Sequence, residues 1–511
     1  MSHELSRRQI LKLVGYASAG TAAVGSVPLL SRFFADKANA QTTTTPFVRE
    51  NIYTFMQSPA KVAALTESVR VMKARDSSDP TSWIYQANIH GIPADEPRRL
   101  TAWNSCQHGT FFFLSWHRMY LYYFERILRR ASSDNTLTLP YWDFSGAIPA
   151  QFRIPRNNTN PLFSDRLSRI NGPNENTEPA PPNIRNYANL LNRTLNTENF
   201  FPEGTSTRSF GGVIVSQANH TGPGKGEVEK TPHDQIHGYV GNLMRVPATA
   251  AQDPIFWLHH ANTDRLWEIW LRRGGRRANP ANNFDWMNDP FTFFDENGTE
   301  VSMRGRDILD TVRQLNYRYD NYDDPLASGF VAPSSSVSTS ARSSSISSEQ
   351  IGASTRQEVR VAGGDRDITF ILDDTPLTLN SPPQKLLEGR VLVESSIVTL
   401  KVIGVEYDPE NSTSYDIYIN LPQGIAPDPY GPYYAGVFSL FSLHQKGTFS
   451  LDITDVLSDQ QKRNPSARNI ISITFVPVVE EKPRLRRRRG RPIQRQQAVR
   501  FKGITIAIES L

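Results

Sequence analysis

The sequence predicts an α+β multidomain chain, a mainly helical domain followed by an all-β sandwich domain. Three observations lead there. At 511 residues the chain exceeds one ordinary hydrophobic core. All eight tryptophans lie before residue 324 and none after it. Between the two compositions runs a serine-rich stretch, residues 325–356, with Ser334-Ser335-Ser336 and Ser343-Ser344-Ser345 and no periodic apolar pattern, as in a flexible linker.

Residues 1–40 read as an export leader. Ser6-Arg7-Arg8-Gln9-Ile10-Leu11-Lys12 is a twin-arginine pattern, followed by an uncharged Ala/Gly-rich stretch and an Ala38-Asn39-Ala40 cleavage site. Export by that route, to the periplasm or outside the cell, is therefore expected. No membrane span is expected in the mature chain, because no long apolar run occurs beyond the leader. With Cys106 as the single cysteine, no intrachain disulfide is available, and packing and metal must hold the fold.

The net charge of +5 invites a nucleic-acid reading, but its source is local. Lys482 to Arg500 carries eight arginines and one lysine, and such a run between two strands reads as a solvated loop. No nucleic-acid partner is expected.

Residues 41–324 mix helical patterns with long loops. A helix is predicted from Trp83 to Ile89, ending at His90. A second runs from about Phe111 to Arg130 and carries His117. A third starts at Asp253, a good N-cap, with Pro254 in the first helical position. Residues 357–511 contain β-branched runs at Asp367–Leu372, Val391–Val402, Tyr415–Leu421, Ile470–Val476 and Ile504–Ile508, each bounded by Gly, Pro, Asn or Asp. Such spacing suggests a sandwich.

The chemistry lies in the histidines. His233 and His237, after Pro232, are four apart and so share one helix face, within reach of one metal ion. His260 follows 23 residues after His237, again with a partner four residues on, Asp264, suited to supporting a ligand or fixing an arginine. His259 points about 100° away from His260 and is set aside as a neighbour. Upstream, the nine-residue gap from His108 to His117 would put the two on opposite faces of a continuous helix, so a bend is required if they share a metal. Two sets of three imidazoles without a cysteine or carboxylate ligand suit copper, zinc, iron or nickel. A zinc peptidase is disfavoured: His233-Asp234-Gln235-Ile236-His237 lacks the glutamate of HExxH, and the upstream histidines would be left unexplained.

The stretch His108, Phe113-Leu114-Ser115-Trp116-His117-Arg118, Leu121 and Glu125 resembles the first-copper signature of tyrosinases, catechol oxidases and molluscan hemocyanins. Asp253-Pro254-Ile255-Phe256-Trp257-Leu258-His259-His260-Ala261-Asn262-Thr263-Asp264 is similar to their second-copper signature. The resemblance implies a mainly helical type-3 copper domain with a central antiparallel four-helix bundle. His90, His108 and His117 would hold one copper ion, and His233, His237 and His260 the other, with dioxygen as cosubstrate and small phenols as substrates. A hemocyanin-like oxygen carrier is the alternative outside the enzymes. Leu139 to Asp143 is similar to a family core motif. Tyr317-Arg318-Tyr319 resembles the motif that closes the catalytic domain, with Arg49 its expected arginine partner. The β-rich region resembles a C-terminal domain that covers the active site.

Further positions follow from the same resemblance. Cys106-Gln107-His108 resembles the fungal Cys-x-His in which the sulfur is bonded to the ligand ring. Glu229, or else Glu227, corresponds to a glutamate that holds a water near the second copper. Asp234 stands where strong monophenol hydroxylases often carry Asn. Glu229 through a water, or Asp234 directly, is the expected base for the phenolic proton. Pro247 falls near the gate position over the second copper. The substrate ring is expected to stack on His260; Tyr430, Tyr433, Tyr434 and Phe438 are the candidate plugs from the C-terminal domain, with ordinary apolar packing the favoured role for these side chains.

Overall fold

The computed structural model describes residues 45–327 and 356–510, apart from 94, 156–158, 173–186, 204–207, 217, 219–221, 223, 363–369, 374–375, 381–395, 408–413, 440, 442–445, 464–470 and 479–497. The leader, most of the linker and nearly all of the arginine-rich run lie outside the described residues. Residues 46–511 form one compact unit.

Five helices of the helical part position the site. Helix α1 (Pro59–Ala74) starts on Ser58, whose hydroxyl accepts from the Lys61 N–H, with Pro59 in the first turn where its missing N–H costs nothing. Helix α2 (Trp83–His90) starts on Ser82 and is buried along nearly its whole length, which places His90 at the end of a fixed rod. Helix α3 (Phe113–Ser132) begins after the loop that carries His108, so the bend required between His108 and His117 is present. The short helix α4 (Gln235–Val240) follows an irregular turn at Glu229–Asp234 in which Thr231 has extended backbone. Helix α5 (Pro254–Arg272) starts on Asp253, whose carboxylate accepts from the Ile255 N–H. Arg166 grips the same carboxylate through two bonds of 2.8 and 2.6 Å, both groups fully buried, and so fixes the start of the helix that carries His260.

Helices α3 and α5 pack through Tyr120, Phe124, Phe256 and Trp257, with Phe124 and Trp257 stacked 3.3 Å apart. Strand β1 (Phe47–Arg49) enters this core, and a hairpin of β2 (Phe291–Phe294) and β3 (Glu300–Met303) caps it. Strand β4 (Tyr317–Tyr319) pairs in parallel with β1, bringing Arg49 level with Tyr319.

From residue 356 on, ten strands among the described residues make two sheets. They are β5 (Arg356–Ala362), β6 (Phe370–Leu372), β7 (Leu377–Asn380), β8 (Ser396–Glu406), β9 (Tyr415–Ile419), β10 (Tyr434–Phe438), β11 (Lys446–Asp452), β12 (Ser472–Pro477), β13 (Val499–Phe501) and β14 (Gly503–Ser510). One sheet runs β10-β9-β12-β7; the other runs β5-β14-β8-β13-β6, with β11 also on β8. Ile417, Phe438 and Phe475 of the first sheet and Leu400, Val402 and Ile504 of the second share one apolar core. The region is not purely β as expected, because α6 (Thr454–Arg463) packs on the sheets through Val456 and Leu457. Its remaining residues are polar, so only one narrow face signals burial.

Candidate dinuclear metal centre

The main chain fixes three of the imidazoles and side chains meet two more. His90 donates from Nδ1 to the Pro247 carbonyl at 2.9 Å, His117 to the Phe113 carbonyl one turn back at 2.7 Å, and His237 to the Met244 carbonyl at 2.7 Å. His233 Nδ1 lies 2.9 Å from Asp234 Oδ1, and His108 Nδ1 lies 3.3 Å from the Cys106 sulfur. A proton placed on Nδ1 by a carbonyl leaves the lone pair on Nε2, the form that ligates a metal.

The six rings converge. Atoms of His90, His117 and His260 that could ligate lie within 4.8 Å of one another, as do those of His233, His237, His259 and His260. His117 and His260 stack at 4.4 Å across the divide between the two trios, and His233 Nε2 faces His260 Nε2 at 3.3 Å. The facing of the two sets, which spacing alone leaves open, is thus given by the packing of α3 against α5. Nε2 of His117 and of His237 is shut off from solvent without a hydrogen-bond partner. Leaving several buried acceptors unsatisfied would be costly, and metal ions at the convergence remove that cost. Burial holds the His117 ring at about 3, only partly offset by the Phe113 carbonyl. Burial and the neighbouring rings hold His233, His237 and His260 well below the ordinary histidine value. Neutral, close-packed and all-nitrogen, the set fits a pair of copper ions.

The remaining predicted residues divide. Glu229 is fully buried and accepts the Gly109 N–H, next to His108, on both oxygens at 2.9 Å. Burial, against the pull of Lys225 and with a push from Asp234, raises its carboxyl to about 8. Glu227 is engaged elsewhere, with Lys230 at 3.0 Å and Arg193 at 2.6 Å. Asp234 joins His233 to the Lys225 ammonium, 2.6 Å from its other oxygen. His259 is drawn in rather than turned away, its ring stacked 5.1 Å from that of His233 and 5.5 Å from Phe144.

Asp264 meets none of the six imidazoles. It accepts from Arg118 at 2.6 Å, Tyr317 at 2.6 Å and Tyr319 at 2.7 Å, with Arg49 at 3.5 Å. Arg49 also bonds Glu125 at 2.9 Å and lies 3.8 Å over the Tyr317 ring. Asp264 is therefore the hub that ties β1, β4, α3 and α5 together, with its helix carrying His260 one turn earlier.

Pro247, placed near the gate position by the resemblance, meets the first trio through its carbonyl, which accepts from His90. The side chain over the second trio is Phe441, whose ring lies 3.7 Å from His237 at 18°, 5.4 Å from His233 and 5.6 Å from His108. None of the four candidate plugs takes this place, in line with the packing role favoured for them. Tyr430 meets Tyr239, Tyr434 meets Tyr418, Tyr433 offers its carbonyl to Ile419, and Phe438 packs inside the β core against Phe449. The reason is register: Phe438 still belongs to β10 and faces the sandwich, whereas residue 441 lies past the end of the strand. The imidazole that carries this foreign ring is His237 rather than His260, which is stacked on His117. Sequence reasoning also missed the carbonyls of Phe113, Met244 and Pro247, which have no residue-type signal, and Lys225.

A helical core in which buried histidines converge, roofed by Phe441, is the arrangement of a multinuclear metal centre and fits the type-3 copper class. Comparison with known proteins agrees. Residues 80–273 match the model of the common central domain of tyrosinase, and residues 281–327 match the polyphenol oxidase middle domain. A tyrosinase of Hahella sp. (strain CCB-MM4) is 31% identical over 477 residues, 84% of this chain and 95% of that protein. Catechol oxidase B of Solanum tuberosum is 27% identical over 452 residues, covering 82% of this chain and 72% of that one. Latent apple tyrosinase shares the fold with a TM-score of 0.54 at 22% identity, over 91% of this chain and 98% of that chain. Latent aurone synthase gives a TM-score of 0.56 at 20% identity, over 91% and 90%. The chain belongs to the tyrosinase and polyphenol oxidase family, an oxidoreductase family whose members hold a dicopper centre. Among the described residues, no helix is long and apolar enough to cross a membrane.

Proposed function

We propose that the protein uses dioxygen to oxidise o-diphenols to o-quinones and to hydroxylate monophenols at the ortho position, and that it is latent until its C-terminal domain is displaced. The observation that carries this reading is the Phe441 ring, seated face to face on His237 between the two trios. An aromatic ring is accommodated where a phenol would have to lie. His90, His108 and His117 would hold one copper ion and His233, His237 and His260 the other. When bound, the pair supplies activation of dioxygen and accepts the electrons of the phenol.

The chain's own residues do the rest. With Phe441 withdrawn, a phenol ring stacks on His237, and the apolar walls of Phe113 and Phe256 keep water from the reacting edge. The phenolic proton, bound with a pKa near 10 in water, must leave before ortho attack. Asp234 stands beside His233 with Lys225 holding its other oxygen, and is the base favoured by this geometry. Glu229, its carboxyl held up near 8 and tied to Gly109, orients the His108 loop and a water beside it. The Cys106 sulfur beside the His108 ring supports a thioether between them. Export through the twin-arginine route belongs to the same reading, since that route carries proteins already folded around their metal.

The test is turnover of tyrosine and of 4-methylcatechol by copper-loaded protein, with the linker intact and cut. Oxidation of both only after cleavage is expected. Oxidation of the catechol alone would make the protein a catechol oxidase. Oxidation of o-aminophenols alone would make it an aminophenol oxidase, and reversible oxygen binding without turnover a hemocyanin-like carrier.

A further inference from the structure

The residue that occupies the cleft is held at two points, and the second lies outside the copper site. While its ring rests on His237 at 3.7 Å, the Phe441 carbonyl accepts from the Lys225 ammonium at 3.1 Å. Lys225 is mostly buried and also donates to Asp234 at 2.6 Å. The spacing between these two anchor points is that of a phenylalanine residue itself: a ring, then two carbons, then a carbonyl oxygen.

We infer that Lys225 is a specificity-determining residue that binds the carboxylate of phenolic substrates bearing the acid two carbons from the ring, the 3-(hydroxyphenyl)propanoate class. The inference rests on the proposed function and deepens it. A free acid of this skeleton, its ring in the place of the Phe441 ring, sets a carboxylate oxygen where the Phe441 carbonyl now meets Lys225. The exchange improves the bond, because a neutral carbonyl gives way to an anion on an ammonium. Asp234 shares the charge of Lys225, and its repulsion of the incoming carboxylate reduces the gain without removing it, since the ammonium carries three donors. An acid attached directly to the ring falls two carbons short of Lys225. A neutral alkyl phenol leaves Lys225 with Asp234 alone.

The experiment uses the copper-loaded chain cut in residues 325–356, with both fragments present. It compares kcat/KM for 3-(3,4-dihydroxyphenyl)propanoate, 4-propylcatechol and 3,4-dihydroxybenzoate. We expect the ratio of propanoate to propylcatechol to fall roughly tenfold in Lys225→Met, as loss of one charged hydrogen bond implies. The fall should lie in KM, as for binding made equally in ground and transition states, and Lys225→Arg should restore most of the ratio. Because Lys225 also holds Asp234, any loss through that contact should fall equally on dihydroxybenzoate and propylcatechol, so that the ratio between these two stays constant. An unchanged ratio in Lys225→Met, or an equal loss for all three catechols, overturns the inference. Failure of the unsubstituted protein to turn over 4-propylcatechol would instead overturn the proposed function. The inference is then decided by equilibrium binding of 3-phenylpropanoate against 3-phenylpropan-1-ol, where equal sensitivity of the two to Lys225→Met counts against it.

Discussion

Replacing Phe441 by alanine removes the ring that covers the second trio and leaves its main chain in place. Phe441 is fully buried and stacks on His237. Burial of a phenylalanine side chain is worth about 1.5–3 kcal/mol, and an aromatic pair adds about 0.5–1.5 kcal/mol. The covered state therefore loses about 2–4.5 kcal/mol, and at about 1.4 kcal/mol per decade the uncovered population rises by about 30- to 1,600-fold, up to full opening. Other ties across the two parts of the chain stay intact, among them the two 3.0 Å bonds from Arg169 to Asp416, the 3.0 Å bond from Arg193 to Thr399 and the 3.2 Å bond from Val437 N–H to Gln235. Phe441→Ala should consequently raise catechol turnover by the uncut chain without separating its domains. The assay is 4-methylcatechol oxidation by copper-loaded protein before and after linker cleavage, with gel filtration to confirm that uncut Phe441→Ala keeps its compact size. A large activation on cleavage is expected for the unaltered chain, falling to less than about threefold in Phe441→Ala, since little closed population would remain to release. An unchanged activation ratio would refute the assignment of Phe441 as the cover.

Other outcomes follow from the same geometry. Asp234→Asn should lower the rate on monophenols more than that on catechols, since only the former need a base before ortho attack; equal effects would remove Asp234 from that role. Intact mass after copper loading should be short by two hydrogens, and the deficit should vanish in Cys106→Ala; a free thiol after loading would exclude the thioether. Asp264→Asn leaves Arg118 and Arg49 under-compensated in the core and should destabilise the helical part by about 3–5 kcal/mol, measured by chemical denaturation. The same network should fail in acid. Burial alone would raise Asp264, but Arg118 and Arg49 outweigh it and hold the carboxyl below its ordinary value. A depressed carboxyl contributes stability above its unfolded value near 4 that is lost as pH falls through the folded value, so unfolding should steepen below about pH 4.

Much of the centre was legible because its determinants are local. The four-residue spacing of His233 and His237, the Asp253-Pro254 start of α5 and the bend needed between His108 and His117 each depend on a few neighbouring residues. Arg49 and the Tyr317-Arg318-Tyr319 motif meet as the resemblance implies, through pairing of β1 with β4. What stayed hidden depends on long-range packing. The facing of the trios is set where α3 meets α5, and the carbonyls that orient the rings carry no side-chain signature. Phe441 was missed for a different reason: Tyr430, Tyr433, Tyr434 and Phe438 are equally aromatic, and only the end of β10 decides which ring leaves the sandwich. In the β region the described parts of the strongest β-branched runs lie largely in strands, with residues 367–369, 391–395 and 470 outside the described residues, while Leu377–Asn380 and Lys446–Asp452 are too mixed to stand out.

The central claim is a copper pair that couples dioxygen to phenol oxidation, and the stoichiometry of that coupling tests it most directly. Dioxygen uptake and quinone formation are recorded together for the linker-cut, copper-loaded chain with 4-methylcatechol. Two catechols give up four electrons, enough to reduce one dioxygen to two waters, so one dioxygen consumed per two quinones is expected, lost on chelation and restored by copper but not by zinc. Quinone formation that persists without copper, or that zinc restores equally, would contradict the account.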